Sequence, residues 1–266
     1  MNRRDFLIGS AASVGIPITG LSRPINSLVA SSGEKSATGG GVGWKNPYVT
    51  DGLVGMWDGE WNAGPGVHDP NATTWKDLSG NGQDCYQNGD IATPLIGDNC
   101  IYFDTTRRSF VFDFIPSVAS TKFIGLTVEI CGDFSGAGTN PNFFSASPFN
   151  AYKGDFVSRY AASQLGISSY STQVLTGISL PRYGFSATTT SSGYLVYVRG
   201  TLAASKTCSF TSNLDIQSGY FGYAVSSQIE NPRGSKIYGA RIYSRALTAD
   251  EIAHNYAIDK ARFNLP

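Results

Sequence analysis

Two carboxylates on one strand are the first place to look for hydrolytic chemistry in this chain. Glu129 and Asp133 fall within the run 122–134, where Leu126, Val128 and Ile130 alternate with Thr127, Glu129 and Cys131, the period of a β-strand. Four strand residues span about 13 Å, whereas glycoside hydrolysis needs a carboxyl pair about 5–9.5 Å apart. The intervening positions that would shorten the gap, Cys131 and Gly132, are not acidic. The other glutamates downstream of the N-terminal segment are Glu34, Glu60, Glu230 and Glu251. Nucleophilic hydrolysis has no better footing: there is no G-x-S-x-G elbow. The two histidines are His68, in a Gly/Pro-rich stretch, and His254, in a helical one, so neither is set up as the base of a triad. No catalytic residue is assigned.

Binding needs less: a ring to stack on a ligand's C–H surface and a few polar partners around it. The richest supply is the run Trp57-Asp58-Gly59-Glu60-Trp61-Asn62. Trp57 ends a strand and reads as core, which leaves Asp58, Glu60, Trp61 and Asn62 as the candidate ligand-binding residues. Trp61 has two readings, a stacking ring or a lid over an edge of the fold. Trp75 reads as core, and Tyr152, Tyr160, Tyr170 and Tyr183 as strand formers.

For a metal, Asp77, Asn81 and Asp84, with Ser79, gather oxygen ligands in one short turn and are the calcium candidates. They do not match the EF-hand loop, and Asx-turn bonding accounts for the same residues. Two histidines and no C-x-x-C spacing argue against zinc. The expected cofactor complement is none, with calcium as the alternative.

Charge excludes other classes. Lysine plus arginine and aspartate plus glutamate are 20 each in 266 residues, and the charges are scattered, so electrostatic capture of nucleic acid is not expected. Arg3 and Arg4 precede an apolar Gly/Ala/Ser-rich run ending near Leu21. Residues 1–30 therefore read as an export signal, and the Arg-Arg-Asp-Phe-Leu order resembles a twin-arginine one. The run is too weakly apolar for a membrane span, and no transmembrane segment is expected in the mature chain. Residues 31–46 read as a Gly/Ser-rich spacer and residues 47–266 as one domain. The expected location is outside the cytoplasm: periplasm, cell surface or secreted. An oxidising compartment permits disulfides among Cys85, Cys100, Cys131 and Cys208; three connectivities are open, as are buried free thiols.

The elements that must position these residues are mostly strands. Glycine at 31 residues and aromatics at 12% suit an all-β chain. Short runs at 53–57, 100–104, 109–114, 122–134, 142–147, 155–160, 164–170, 182–187, 194–199, 201–205 and 219–225 precede a final strand after Lys236. The run 100–104 with 109–114, and 194–199 with 201–205, read as hairpins. Eleven or twelve strands at this spacing argue a two-sheet antiparallel sandwich. One helix closes the chain. Thr248 and Glu251 form a capping box, Leu247 staples to Ile252, and Ala249, Ile252, Ala253, Tyr256, Ala257 and Phe263 form its apolar face.

Three stretches together resemble the laminin-G-like, concanavalin A-like jelly-roll family. They are residues 52–58 with Thr74-Trp75-Lys76-Asp77-Leu78-Ser79-Gly80-Asn81-Gly82-Gln83-Asp84, the 194–204 hairpin with Arg199 where the family has asparagine, and Gly239-Ala240-Arg241-Ile242-Tyr243-Ser244-Arg245-Ala246-Leu247 leading into the capping box. The resemblance implies a jelly roll and a lectin-like or adhesive module. The family's hydrolases carry E-x-D-x-(x)-E, which this chain lacks. The expectation is an exported non-catalytic binding module for glycan or an envelope or extracellular protein. The alternatives are a structural or adhesive protein without a sugar site and a divergent glycoside hydrolase.

Overall fold

A computed structural model describes residues 45–87, 92–104, 108–113, 124–136, 142–147, 155–159, 165–169, 172–175, 182–207, 218–222 and 234–266. Residues 1–30, expected as an export signal, nearly all of the expected spacer, Cys208, Glu230, Tyr152, Tyr160 and Tyr170 lie outside them, as does the side chain of Tyr183.

The strands are β1 (Leu53–Asp58), β2 (Tyr86–Gln87), β3 (Leu95–Gly97), β4 (Cys100–Tyr102), β5 (Ser109–Asp113), β6 (Thr127–Asp133), β7 (Asn142–Ser147) and β8 (Asp155–Arg159). They continue as β9 (Leu165–Ser169), β10 (Thr172–Leu175), β11 (Arg182–Thr190), β12 (Gly193–Val198), β13 (Thr201–Thr207), β14 (Ser218–Gly222) and β15 (Lys236–Tyr243), before helix α1 (Ala249–Phe263). They form two antiparallel sheets. The first, of eight strands, runs β13-β12-β11-β6-β15-β4-β3 with β1 also on β15; the second, of seven, runs β10-β9-β8-β7-β14-β5-β2. The expected sandwich with one closing helix is the observed fold.

The core between the sheets is built from the alternation that period two imposes. Val128 and Ile130 of β6, Ala240 and Ile242 of β15, and Phe185 and Ala187 of β11 meet Phe110, Phe112, Phe144 and Phe221 of the second sheet. Trp57 and Trp75 anchor it. Trp57 lies 4.7 Å from Phe112 and 5.2 Å from Phe221 between ring centroids. Each indole N–H, a buried donor that must find an acceptor, donates to a carbonyl: Trp57 to Gln83 and Trp75 to Asp58, both at 2.9 Å.

Two local readings need correction. Strands β4 and β5 do not form a hairpin: β4 pairs β15 in the first sheet, and β5 pairs β14 in the second. Both carry buried aromatic or aliphatic residues, and a strand's own pattern does not say which sheet receives it. Of the run 122–134, the described strand is Thr127–Asp133, shorter than β11. The β12–β13 hairpin does form. Arg199 (φ 54°) and Gly200 (φ 73°) occupy its two-residue turn, both left-handed, as a turn matching strand twist requires.

Cys85, Cys100 and Cys131 are free buried thiols; burial pushes each thiol up from its ordinary value. No helix among the described residues is long and apolar enough to cross a membrane.

Candidate functional site

Helix α1 begins as its capping box dictates. Thr248 Oγ1 accepts the Glu251 N–H, and Glu251 Oε2 accepts the Thr248 N–H at 2.8 Å. Leu247 and Ile252 are buried together, completing the staple. The face that the helix buries differs from the expected one. It carries Ile252, Asn255, Ile258, Asp259 and Phe263, while Ala249, Ala253 and Ala257 are exposed. The cause is the surface beneath: the outer face of the first sheet is itself charged.

That surface is where Glu129 lies. Arg241, on the neighbouring β15, donates Nε to Glu129 Oε2 at 2.8 Å and Nη1 to Asp259 Oδ1 at 2.9 Å, with Nη2 on Asp259 Oδ2. Arg241 and both carboxylates are 3–4% exposed. Buried ionic groups must be both paired and hydrogen-bonded, and here the remaining positions are filled. Asn255 Nδ2 donates to Glu129 Oε2 and to the Tyr243 hydroxyl. Ser186 donates to Glu129 Oε1 at 3.1 Å. Tyr48 donates to Asp259 Oδ1 at 2.9 Å, and its ring lies 4.0 Å from the Arg241 guanidinium carbon. Burial pushes the Glu129 carboxyl up, partly offset by Arg241. Burial and the neighbouring Asp259 likewise push up the Tyr48 hydroxyl.

A cleft of about 10 Å³ lined by Gly184, Ser186, Gly200 and Tyr256 opens toward this cluster, room for about one water molecule. It is narrow because Tyr256 lies against Gly184, where an added Cβ would stand 2.9 Å from the ring. A pyranose does not fit. Glu129 and Asp259 are thus a carboxylate pair locked on one guanidinium under a helix. Asp133 is elsewhere, accepting from Ser135 N and Oγ.

The candidate binding run lies beside this cluster, at the sandwich rim. Asp58 is buried; its Oδ1 accepts the N–H groups of Glu60 and Trp61 at 2.9 and 3.0 Å, and its Oδ2 accepts Arg262 Nη1 at 2.6 Å. Asn62 is also buried. It donates to Asp69 O at 2.8 Å and accepts Asp69 N–H at 2.9 Å. These two are pegs that hold the loop, with their polar atoms used inside the chain. Glu60 and Trp61 are the residues that they present. The Glu60 side chain is 50% exposed and meets Arg262 Nη2 at 3.3 Å, while Trp61 is half-buried with the Arg262 guanidinium carbon 4.8 Å from its ring. His68, on the same loop, shares a hydrogen bond with Glu60 O; His254 is on the helix surface against Pro47 O. Sequence inspection missed Arg262, which organises this rim from the last helical turn. Its distance from Asp58, 204 residues in the chain, leaves no local signal.

The calcium candidates form the Asx network. Asp77 accepts the N–H groups of Met56, Ser79 and Gln83 and the Ser79 hydroxyl. Asp84 accepts the Asp77 N–H and pairs with Lys76. Asn81 donates to the carbonyls of Leu53 and Val54. The carboxylates are engaged by donors and tie the turn to β1. No group of three or more His, Cys, Asp or Glu side chains spaced for a metal occurs among the described residues.

No family model matches the chain, and no curated protein matches it in sequence. Solved structures do match in fold. Trypanosoma rangeli sialidase in complex with 2,3-difluoro-KDN superposes with a TM-score of 0.59 at 17% identity, over 78% of this chain and 33% of the sialidase. The same sialidase with sialic acid gives 0.59 at 16%. The botulinum neurotoxin serotype D ligand-binding domain in complex with N-acetylneuraminic acid gives 0.58 at 12%, over 80% of this chain and 52% of that one. The chain spans about a third of the sialidases and about half of the toxin fragment. At these identities the likeness establishes the sandwich.

Proposed function

We propose that this chain is an exported, non-catalytic glycan-binding module of laminin-G-like type, using the rim where Glu60 and Trp61 stand. The observation that carries this reading is the construction of the rim. Asp58 and Asn62 are spent on holding the backbone, and Arg262 clamps from the helix, so that one ring and one carboxylate are presented in a fixed geometry. Preorganised aromatic and polar groups of this kind suit sugar recognition, where little ordering entropy is left to lose. One further observation supports a binding rather than a hydrolytic role. The Glu129–Asp259 pair is shut under α1 with Arg241 between its carboxylates. The similar folds include a toxin ligand-binding domain in complex with N-acetylneuraminic acid and a sialidase in complex with sialic acid, which supports glycan recognition in general.

The test is a glycan-array screen of the protein expressed without residues 1–30, with and without a calcium chelator. Binding of at least one glycan is expected, and Trp61→Ala should weaken it about tenfold, the loss of about one ring contact. Turnover of a polysaccharide by the wild type would overturn the non-catalytic reading. Absence of glycan binding with self-association would favour a structural or adhesive role.

A further inference from the structure

The loop that presents Glu60 and Trp61 runs on to a second turn, whose exposed residues the rim does not use. Asn71 is the one asparagine of the sequence with a serine or threonine two residues on, in Asn71-Ala72-Thr73. That order, with no proline between, is the acceptor motif for N-linked glycosylation. Three-residue motifs recur by chance, so the construction of the turn has to qualify this one. Asp69 Oδ1 accepts the Asn71 N–H at 2.9 Å, and Asp69 O accepts the Ala72 N–H at 3.2 Å. Pro70 presets the backbone at the second position, which leaves Asn71 at the tip of a turn over residues 69–72. Asn62 pins the base of that turn through the Asp69 carbonyl and N–H. Asn71 and Thr73 are both exposed. The Asn71 bond is made by its backbone; among the described residues neither its side-chain amide nor the Thr73 hydroxyl has a partner. The preceding tip of the same loop is equally open. A Cβ added at Gly64 or Gly66 meets nothing within 4 Å, and Val67 is 52% exposed.

We infer that Asn71 is an N-glycosylation site, its side-chain amide the acceptor of an oligosaccharide carried on a lipid diphosphate. In the transfer, Nδ2 attacks the anomeric carbon, the bond from that carbon to the diphosphate oxygen breaks, and a C–N bond forms. One Nδ2 proton passes to a base of the transferase and the lipid diphosphate leaves; nothing is oxidised or reduced. Several features fit Asn71 to that role. An amide already hydrogen-bonded inside the protein must break those bonds before it can attack, and Asn71 has none to break. Thr73 supplies the hydroxyl that the motif requires two residues on. A turn set by Asp69 and Pro70 presents both groups without unpairing a strand, so the folded chain can serve as the acceptor. Asn62, on the same loop, shows the contrast: it is buried, spends both ends of its amide on Asp69, and has Gly64 two residues on. The product is a bulky, hydrated group on the surface, which the open space around the loop admits. Glycosylation at Asn71 rests on the exported reading, because the motif acts in secreted proteins, and is independent of sugar binding at Trp61.

The test is mass spectrometry of the full chain purified from the exported fraction of the cells that make it, as wild type, Asn71→Gln, Thr73→Ala and Thr73→Ser. The expected result is a mass increment of whole sugar residues on the wild type. It should be carried by the tryptic peptide of residues 46–76 and placed on Asn71 by fragmentation. The increment should vanish in Asn71→Gln and Thr73→Ala and persist in Thr73→Ser, which keeps the hydroxyl. A thermal melt within a few degrees of wild type shows that each variant is folded. An exported wild type with no sugar on Asn71 overturns the site and leaves export and the rim reading standing. An increment that survives Asn71→Gln and disappears in Thr73→Ala puts the sugar on the threonine and overturns the site as well. If the wild type stays in the cytoplasm with residues 1–30 attached, the exported reading fails and the site falls with it.

Discussion

The first sheet turns Glu129, Arg241 and Tyr243 outward and then covers them with α1, whereas the second turns Tyr86, Val111 and Asp113 outward and leaves Tyr86 41% exposed. Both faces are polar, and both are read from strands with the same alternation. The difference is what meets them. Under the helix every carboxylate oxygen of Glu129 and Asp259 has a partner from another element, so the polar groups specify how the helix docks. On the second sheet Tyr86 and Asp113 are exposed, and the Tyr86 hydroxyl donates to Asp113. Polarity on a sheet face therefore does not by itself mark a site.

The comparison breaks most sharply at Arg241. Arg241→Met removes the cation between two buried carboxylates and should cost about 3–5 kcal/mol in urea unfolding, the penalty of leaving buried charge uncompensated. A loss below about 1 kcal/mol would show that the cluster is hydrated and the face not sealed.

Next come the two glutamates, which should respond to pH with opposite signs. Burial raises the Glu129 carboxyl in the folded chain, so the folded state holds that proton more tightly than the unfolded. Its contribution is fully present below the ordinary carboxyl range and is lost as pH rises through the raised value. Glu129→Gln, which keeps the shape, should stay within about 1 kcal/mol of wild type at pH 7 and fall relatively less stable toward pH 4. Glu251 is the reverse. The Arg245 hydrogen bond first, then the Thr248 cap, hold its carboxyl at about 2. Its contribution is present above the ordinary range and is lost as pH falls through about 2. Glu251→Gln should cost about 1 kcal/mol at pH 7, with the difference from wild type shrinking as acid is added. Denaturant midpoints between pH 2.5 and 8 measure both slopes, and equal slopes for the two variants would contradict this assignment.

The smallest effect belongs to the open face. Tyr86→Ala should change stability by no more than about 0.5 kcal/mol, since the ring stands on a two-residue edge strand. A loss comparable to that of Arg241→Met would mean that the ring is structural.

The closing segment shows how far local pattern reaches. Thr248 and Glu251 are three residues apart, and a cap needs no more than that, so the helix start could be read from the chain alone. The helix face could not, because alanine is neutral to burial while Asn255 and Asp259 read as solvent-facing until Glu129 and Arg241 are placed beneath them. The same holds at the rim: Asp58, Glu60, Trp61 and Asn62 were legible as a polar-aromatic run, but which are pegs and which are presented depends on Asp69 and Arg262.

By itself the sequence determined the strand alternation, the turn at Arg199 and Gly200, the capping box, the Asx turn around Asp77 and the two-sheet class. Each rests on contacts within a few residues or on a period that any sheet must satisfy. Only the tertiary structure decided that β4 and β5 belong to different sheets, that the outer face carrying Glu129 is closed, and that Tyr86, Tyr220 and Asp113 share the open one. Those outcomes depend on partners many tens of residues away, and a strand's periodicity gives its faces without saying what each will meet.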